Sequence, residues 1–155
     1  MPNIISNTIQ LHVAGYDSET SKYKFLVLKR SEKAKLYPSV WQVITGKIKE
    51  NETALDTAKR ELEEETKLKP AKMWAVPYIT SFFETAKDSI HLAPVFGVVV
   101  ENMNEIQLSD EHECFEWLDY QECIDRLLLP THKEGTKHFN DYCLKNHTKE
   151  LKIDY

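Results

Sequence analysis

Apolar residues fall along this chain mostly in short blocks rich in β-branched and aromatic types, broken by polar clusters. Residues 4–14 and 23–29 predict two strands joined by the polar turn Tyr16-Asp17-Ser18-Glu19-Thr20. From Tyr23 to Lys29 the apolar run is nearly continuous, which predicts burial on both faces. Trp41-Gln42-Val43-Ile44-Thr45 reads as a short strand leading into Gly46. Residues 73–83 and 90–101 predict further strands around the polar turn Glu84-Thr85-Ala86-Lys87-Asp88, and Cys114 to Leu118 predicts another. The period becomes helical from about Thr53 to Thr66, where Leu55, Ala58 and Leu62 form an apolar stripe. Thr53 suits the N-cap, and Asp56 three residues on completes a weak capping box. Two helices close the chain, at roughly 120–128 and, after Pro130, at 133–145. Strands around an internal helix, with helices after them, predict a layered α/β (α+β) fold. No repeat or linker divides the 155 residues, so residues 1–155 are expected to form one domain.

Composition narrows the partners. A hydrophobic content of 41% with 29% charged residues is that of a soluble globular domain. The net charge of −5 argues against a nucleic acid polymer as partner, and a polyanionic substrate would need local cations. No apolar run has membrane-spanning length, and the N-terminal segment lacks the features of a signal peptide, so a cytoplasmic protein without a membrane partner is expected. Cys114, Cys123 and Cys143 fit neither a disulfide framework nor a zinc site and read as reduced structural thiols. A monomer and a homodimer are both compatible with these features.

The chemistry is concentrated between Gly46 and Leu68. Glu61, Glu64 and Glu65 stand at helical offsets of three and four, which place them on one face. Crowded carboxylates repel each other, and a hard divalent cation shared with substrate phosphates relieves that repulsion. Glu-rich helix faces are usually just solvated surface. Here, however, Gly46 is followed after five residues by Glu52, then after seven by Arg60-Glu61-Leu62-Glu63-Glu64-Glu65, with Leu68 closing the segment. This arrangement resembles the Nudix box at every specified position but one, since Lys67 stands where the pattern has Gly.

The resemblance implies a mixed β-sheet sandwiched between helices, and hydrolysis of a phosphoanhydride bond in a nucleoside diphosphate linked to another group. It implies Mg²⁺, with Mn²⁺ as a substitute, held by Glu61, Glu64 and Glu65. It leaves open which Glu is the general base. Glu52 has an auxiliary role in the family, although an acid favoured by a helix N-terminus explains it as well. Arg60 is expected to pair with a box carboxylate and fix its rotamer. Gly46 is expected to permit close backbone approach or positive φ, and Lys67 to strain the helix exit by about 1 kcal/mol.

A second constellation, Leu108-Ser109-Asp110-Glu111-His112-Glu113 before Trp117-Leu118, resembles a segment of many Nudix pyrophosphohydrolases in which a Glu outside the box approaches the metal. Glu111 matches that position, while His112 reads as a packing or hydrogen-bonding residue. Trp41-Gln42-Val43-Ile44-Thr45-Gly46 is similar to the lead-in of the dihydroneopterin triphosphate and dATP branch. That likeness implies phosphate contact by Arg30 and polar contacts by Thr45 and Gly46; Lys29 and Lys33 could share the phosphate role, although exposed lysines are the default. Trp41, Tyr78, Phe82 and Phe83 are candidates to stack on a base or pterin, though strand aromatics are more often core. The expected reaction releases pyrophosphate and a monophosphate from a small nucleotide or pterin triphosphate. The alternatives are a dinucleoside polyphosphate (Ap4A-type) hydrolase and a non-catalytic nucleotide sensor.

Overall fold

Period-two alternation divides the strand residues between two apolar layers, and a mixed eight-stranded sheet separates those layers. The computed structural model describes residues 1–146 and 149–154. Strand β7 (Ser89–Val100) is central. It pairs in parallel with β1 (Asn3–Ile5) and β2 (Thr8–Asp17), and antiparallel with β6 (Lys72–Glu84). β2 continues antiparallel into β3 (Lys22–Arg30) and also carries β5 (Ile44–Lys47). β3 in turn pairs with β4 (Trp41–Gln42) and β8 (His112–Leu118).

Helix α1 (Ala54–Thr66) covers one face. Ala58 and Leu62 are fully buried against Leu11, Leu26, Leu28, Ile44 and Val98. Truncating a buried Leu such as Leu62 to Ala costs about 2–5 kcal/mol. Helices α2 (Tyr120–Arg126) and α3 (Pro130–His138) lie on the other face, over Phe25, Val27, Val43 and Val95. Phe25 to Leu28 are all buried because both faces of β3 are covered, as its continuous apolar run predicts.

Three boundaries differ from the sequence expectation. The first predicted strand splits into β1 and β2, and the strand before Gly46 splits at Val43 into β4 and β5. The last predicted helix begins earlier, at Pro130, and α3 passes at Phe139 into a wider-wound π segment, Phe139–Lys145. There the bulky Phe139 ring is wedged fully buried between Phe25 and Trp74, with centroids 6.2 and 6.0 Å away. No helix among the described residues is long and apolar enough to cross a membrane. None of the three cysteines forms a disulfide, and burial pushes the Cys123 and Cys143 thiols up to about 12.

Helix α3 meets β2 through buried polar groups. Gln10 Nε2 donates to the Thr131 carbonyl (3.1 Å) and contacts His12 Nε2 (2.7 Å), while His12 Nδ1 contacts Thr136 Oγ1 (3.2 Å). The Thr136 hydroxyl donates to the His132 carbonyl, and the Val43 amide donates to His132 Nδ1. A Cβ on Gly135 would lie 2.3 Å from both Gln10 Nε2 and His12 Nε2, so only glycine lets the helix approach this closely. Burial, reinforced for His12 by His132, lowers the His12 pKa to about 3, and burial lowers His132 to about 4.

Both folded values lie below the unfolded value near 6.5. The stability these neutral rings contribute is therefore complete above pH 6.5. It is lost as pH falls toward 4 and then 3, at about 1.4 kcal/mol per pH unit for each ring. Urea unfolding midpoints are expected to fall steadily from pH 6.5 to 5, with an uptake approaching two protons. A flat profile over that interval would show that both rings accept a proton while folded, and an uptake near one proton that one of them does.

Candidate active site

The box helix starts and ends on identifiable contacts. Thr53 Oγ1 accepts the Asp56 amide (3.1 Å), and Asp56 Oδ2 accepts the Thr53 amide (3.3 Å). This is the reciprocal cap its sequence predicts, and a cap of this kind contributes about 1 kcal/mol. At the other end Lys67 adopts φ 60°, ψ 7°, the left-handed conformation expected where the box pattern has Gly. Neighbouring contacts hold that exit. Lys67 donates its amide to the Glu63 carbonyl, and Thr66 Oγ1 accepts the Leu68 amide. The Gln107 and Ser109 amides donate to the last-turn carbonyls of Thr66 and Glu65, at 2.8 and 3.2 Å.

Arg60 organises the first half of the site. Its Nε and Nη2 donate to the two oxygens of Glu52 at 2.7 and 3.0 Å. Nη1 donates to Glu61 (2.7 Å) and Glu64 (3.1 Å), and Nη2 also donates to the Lys47 carbonyl (3.0 Å). All five N–H groups thus have acceptors, a use of the planar fork that Lys cannot reproduce. Arg60, then Thr57, hold the Glu52 carboxyl down to about 2. Glu52 therefore stands against Arg60 and braces the cation that aligns Glu61 and Glu64. Burial raises Glu61 above the ordinary carboxylate range, against the pull of Arg60.

Gly46 owes its place to close approach, since its φ is not positive. A Cβ there would stand 2.3–2.6 Å from Glu61 Cγ, Cδ and Oε1. Gly46→Ala is expected to displace the Glu61 carboxylate and lower kcat at least about tenfold with the fold retained. Steady-state rates with circular dichroism check this, and a variant of wild-type rate would remove Glu61 from the chemistry.

The second half assembles from distant chain positions. The Glu65 side chain is buried, and its Oε2 accepts Ser109 Oγ (2.7 Å) and meets His112 Nδ1 (2.8 Å). Burial opposes its charge, but His112 and Ser109 outweigh burial and hold the carboxyl below its usual range. Glu111 comes within hydrogen-bonding reach of Glu65 and is pushed upward, first by burial and then by the Glu65 charge. A β-bulge explains how this loop is aimed. Lys29 pairs with Cys114 but Arg30 pairs with His112, so Glu113 is the extra residue. The bulge turns His112 onto the face that α1 covers, while Glu113 pairs with Lys29 Nζ at 3.0 Å.

Arg30 lies beside Glu111, and its buried Nε has no hydrogen-bond partner among the described residues. Arg30, Ser31, Lys33, Lys35, Asp110 and Glu111 line an open cleft of about 400 Å³. Gly46, Glu52, Arg60, Glu61 and Glu64 are thus gathered in one half, and Arg30, Glu65 and Glu111 in the other. Thr45 is not gathered with them. Ile44 and Gly46 face α1, so strand alternation turns Thr45 to the opposite face, exposed and across from Gln10.

The candidate stacking aromatics also lie apart from the carboxylates. Trp41 is under the Arg126 guanidinium (4.8 Å), Tyr78 stacks on His138 of α3, and Phe82 stacks on His91. Phe83 is exposed. The residue whose part sequence reasoning missed is Ser109, which donates to Glu65. His112 read only as a packing or hydrogen-bonding residue, and its bond to Glu65 depends on the bulge.

These donors suit a hard cation. Glu61, Glu64, Glu65 and Glu111 offer only oxygen, and Glu65 and Glu111 press together with Arg30 close by. Among the described residues no three acidic, His or Cys side chains form a ready cage, and Arg60 occupies oxygens of Glu61 and Glu64. A cation that drew on Glu61 and Glu64 would compete with Arg60 for those oxygens.

The NUDIX domain profile matches residues 10–142. An octanoyltransferase from Myxococcus xanthus is 31% identical over 113 residues, which are 72% of this chain and 30% of the relative, so the chain spans under a third of that protein. Among solved structures, a Listeria monocytogenes protein assigned as a NUDIX hydrolase superimposes with a TM-score of 0.73 at 24% identity, over 91% of this chain and 95% of the other. A Caenorhabditis elegans Ap4A hydrolase in a binary complex gives 0.70 at 19% identity, over 90% and 98%. The Escherichia coli dihydroneopterin triphosphate pyrophosphohydrolase gives 0.68 at 20% identity, over 85% and 92%. These likenesses show a shared fold. With the profile spanning most of its length and the box geometry in place, the chain belongs to the NUDIX domain family.

Proposed function

We propose that this protein is a Mg²⁺-dependent pyrophosphohydrolase of a nucleoside triphosphate-like substrate, of the dATP or dihydroneopterin triphosphate type, releasing pyrophosphate and a monophosphate. The observation that carries the reading is the meeting of Glu65, from the box helix, with Glu111, from the β8 loop, beside the unpartnered Arg30 Nε. Two carboxylates in contact call for a cation, and an orphaned guanidinium donor beside them calls for an anion. A phosphate carried with its metal meets both needs.

Glu61, Glu64, Glu65 and Glu111 would hold the metal, which when bound supplies charge neutralisation and lowers the pKa of water. Arg30 donates to a phosphate oxygen and orients the chain of phosphates. Arg60 keeps Glu61 and Glu64 in register and is itself braced by Glu52. Water attacks phosphorus as the anhydride oxygen leaves, and its proton passes to a carboxylate oxygen of the cluster. The Trp41 to Gly46 lead-in and the fold shared with the E. coli enzyme support the branch.

A screen of nucleotides with Mg²⁺, scored by product chromatography, tests the proposal. Pyrophosphate plus monophosphate is expected, with activity abolished by chelator, and full turnover in excess chelator would overturn the reading. The Ser109 to His112 segment and the fold shared with the C. elegans enzyme favour Ap4A-type hydrolysis as second reading, whose mark is a nucleoside triphosphate product. A sensor without turnover is disfavoured by the intact set of box carboxylates.

A further inference from the structure

We infer that Gln42 is a positioning residue for Glu65, acting by fixing the tautomer of His112. The inference rests on the proposal that Glu65 holds the metal. Three buried groups from separate elements stand in line, Gln42 on β4, His112 on β8 and Glu65 on α1, exposed by 6, 7 and 4%. Gln42 Nε2 lies 2.9 Å from His112 Nε2, and His112 Nδ1 lies 2.8 Å from Glu65 Oε2. A neutral imidazole has one donor and one acceptor. A carboxylate only accepts, so the ring's hydrogen belongs on Nδ1. An amide nitrogen only donates, so His112 Nε2 is the acceptor. The two contacts select the same tautomer.

The ordered ring has a directional consequence. Ser109 Oγ donates to the same Glu65 oxygen, so two donors from the β8 side pin Oε2. Oε1 takes neither of these donors and, beside Glu111, is the oxygen that would meet a cation. Without the Gln42 donor the ring is free to carry its hydrogen on Nε2. Its Nδ1 lone pair then faces Oε2 and turns the carboxylate away. Partners of this kind, one step removed from a metal, change affinity or activity by about 10–100-fold when lost. Gln42 sits on the α1 face because it pairs with Leu28, while Trp41 beside it faces α2. The Trp-Gln pair thus divides its work between the two layers.

The test uses ¹⁵N-imidazole NMR on the full chain, with Mn²⁺ titration followed by the electron paramagnetic resonance of free Mn²⁺. In the wild-type protein at pH 8, His112 is expected to carry hydrogen on Nδ1 and a bare Nε2. Gln42→Met keeps volume and removes the donor. It is expected to mix the tautomers, weaken Mn²⁺ about 10–100-fold, and lower kcat with KM within about twofold. Hydrogen on Nε2 in the wild-type protein would overturn the inference without any variant, should Gln42→Met fail to fold. So would a Gln42→Met protein whose Mn²⁺ affinity and kcat stay within about twofold of wild type. A Glu65→Gln protein with unchanged Mn²⁺ affinity would instead overturn the metal-holding role itself, whatever the tautomer.

Discussion

Glu65→Gln is expected to lower kcat by at least about 100-fold while the protein stays folded. The substitution keeps size and shape. The new amide still offers an oxygen to Ser109 and His112, and its NH₂ group can donate to Glu111, so the buried contacts survive. What disappears is the charge proposed to hold the cation. Glu64→Gln is expected to fall by a similar factor, because Glu64 keeps one oxygen on Arg60 and is half-exposed at the site. Glu63→Gln is the control: Glu63 is exposed and points about 100° from each neighbour around the helix. Rates at saturating Mg²⁺ with thermal melts decide the matter. Equal losses at all three positions would mean that bulk charge matters and geometry does not.

Glu111→Gln is expected to slow the reaction as strongly, with no loss of thermal stability. Burial and the Glu65 charge both disfavour the ionised Glu111, so neutralising it relieves the folded protein. A strong kinetic loss without destabilisation marks a residue kept for chemistry. Its loop neighbours are controls. Asp110 is exposed, and Glu113 is engaged with Lys29 in a solvent-screened surface pair. Asp110→Asn and Glu113→Gln should therefore leave kcat nearly unchanged. A Glu111→Gln protein within about twofold of wild type would leave the box helix to carry the reaction alone.

The parts of the molecule legible in the sequence are those governed by local rules. The capping box at Thr53, the apolar stripe of α1 and the left-handed Lys67 each depend on residues within a turn or two, and all three appear as expected. The carboxylate face follows from helical spacing alone. Longer-range geometry was not legible. The inward turn of His112 depends on the bulge that leaves Glu113 without a partner in the strand register, and no spacing in the β8 segment announces it. Thr45 faces away from the carboxylates because β5 pairs with β2 in a register that points Gly46 at Glu61. Glu52 follows a turn at Asn51 with φ 63° and precedes the Thr53 cap, so its bidentate pairing with Arg60, eight residues on, depends on the conformation of the loop that leads into the helix. The split at Val43 follows from its amide turning to His132, a tertiary contact invisible in a strand pattern.

The segment from Gln107 to His112 closes the open carbonyls at the end of α1 and also delivers Ser109, Glu111 and His112 to Glu65. One segment therefore finishes the helix and supplies the partners of Glu65. A partly folded chain with a frayed last turn would lack the outer carboxylate and both donors that aim the inner one. Such a chain would have the box motif intact and little power to draw a metal into an incomplete centre.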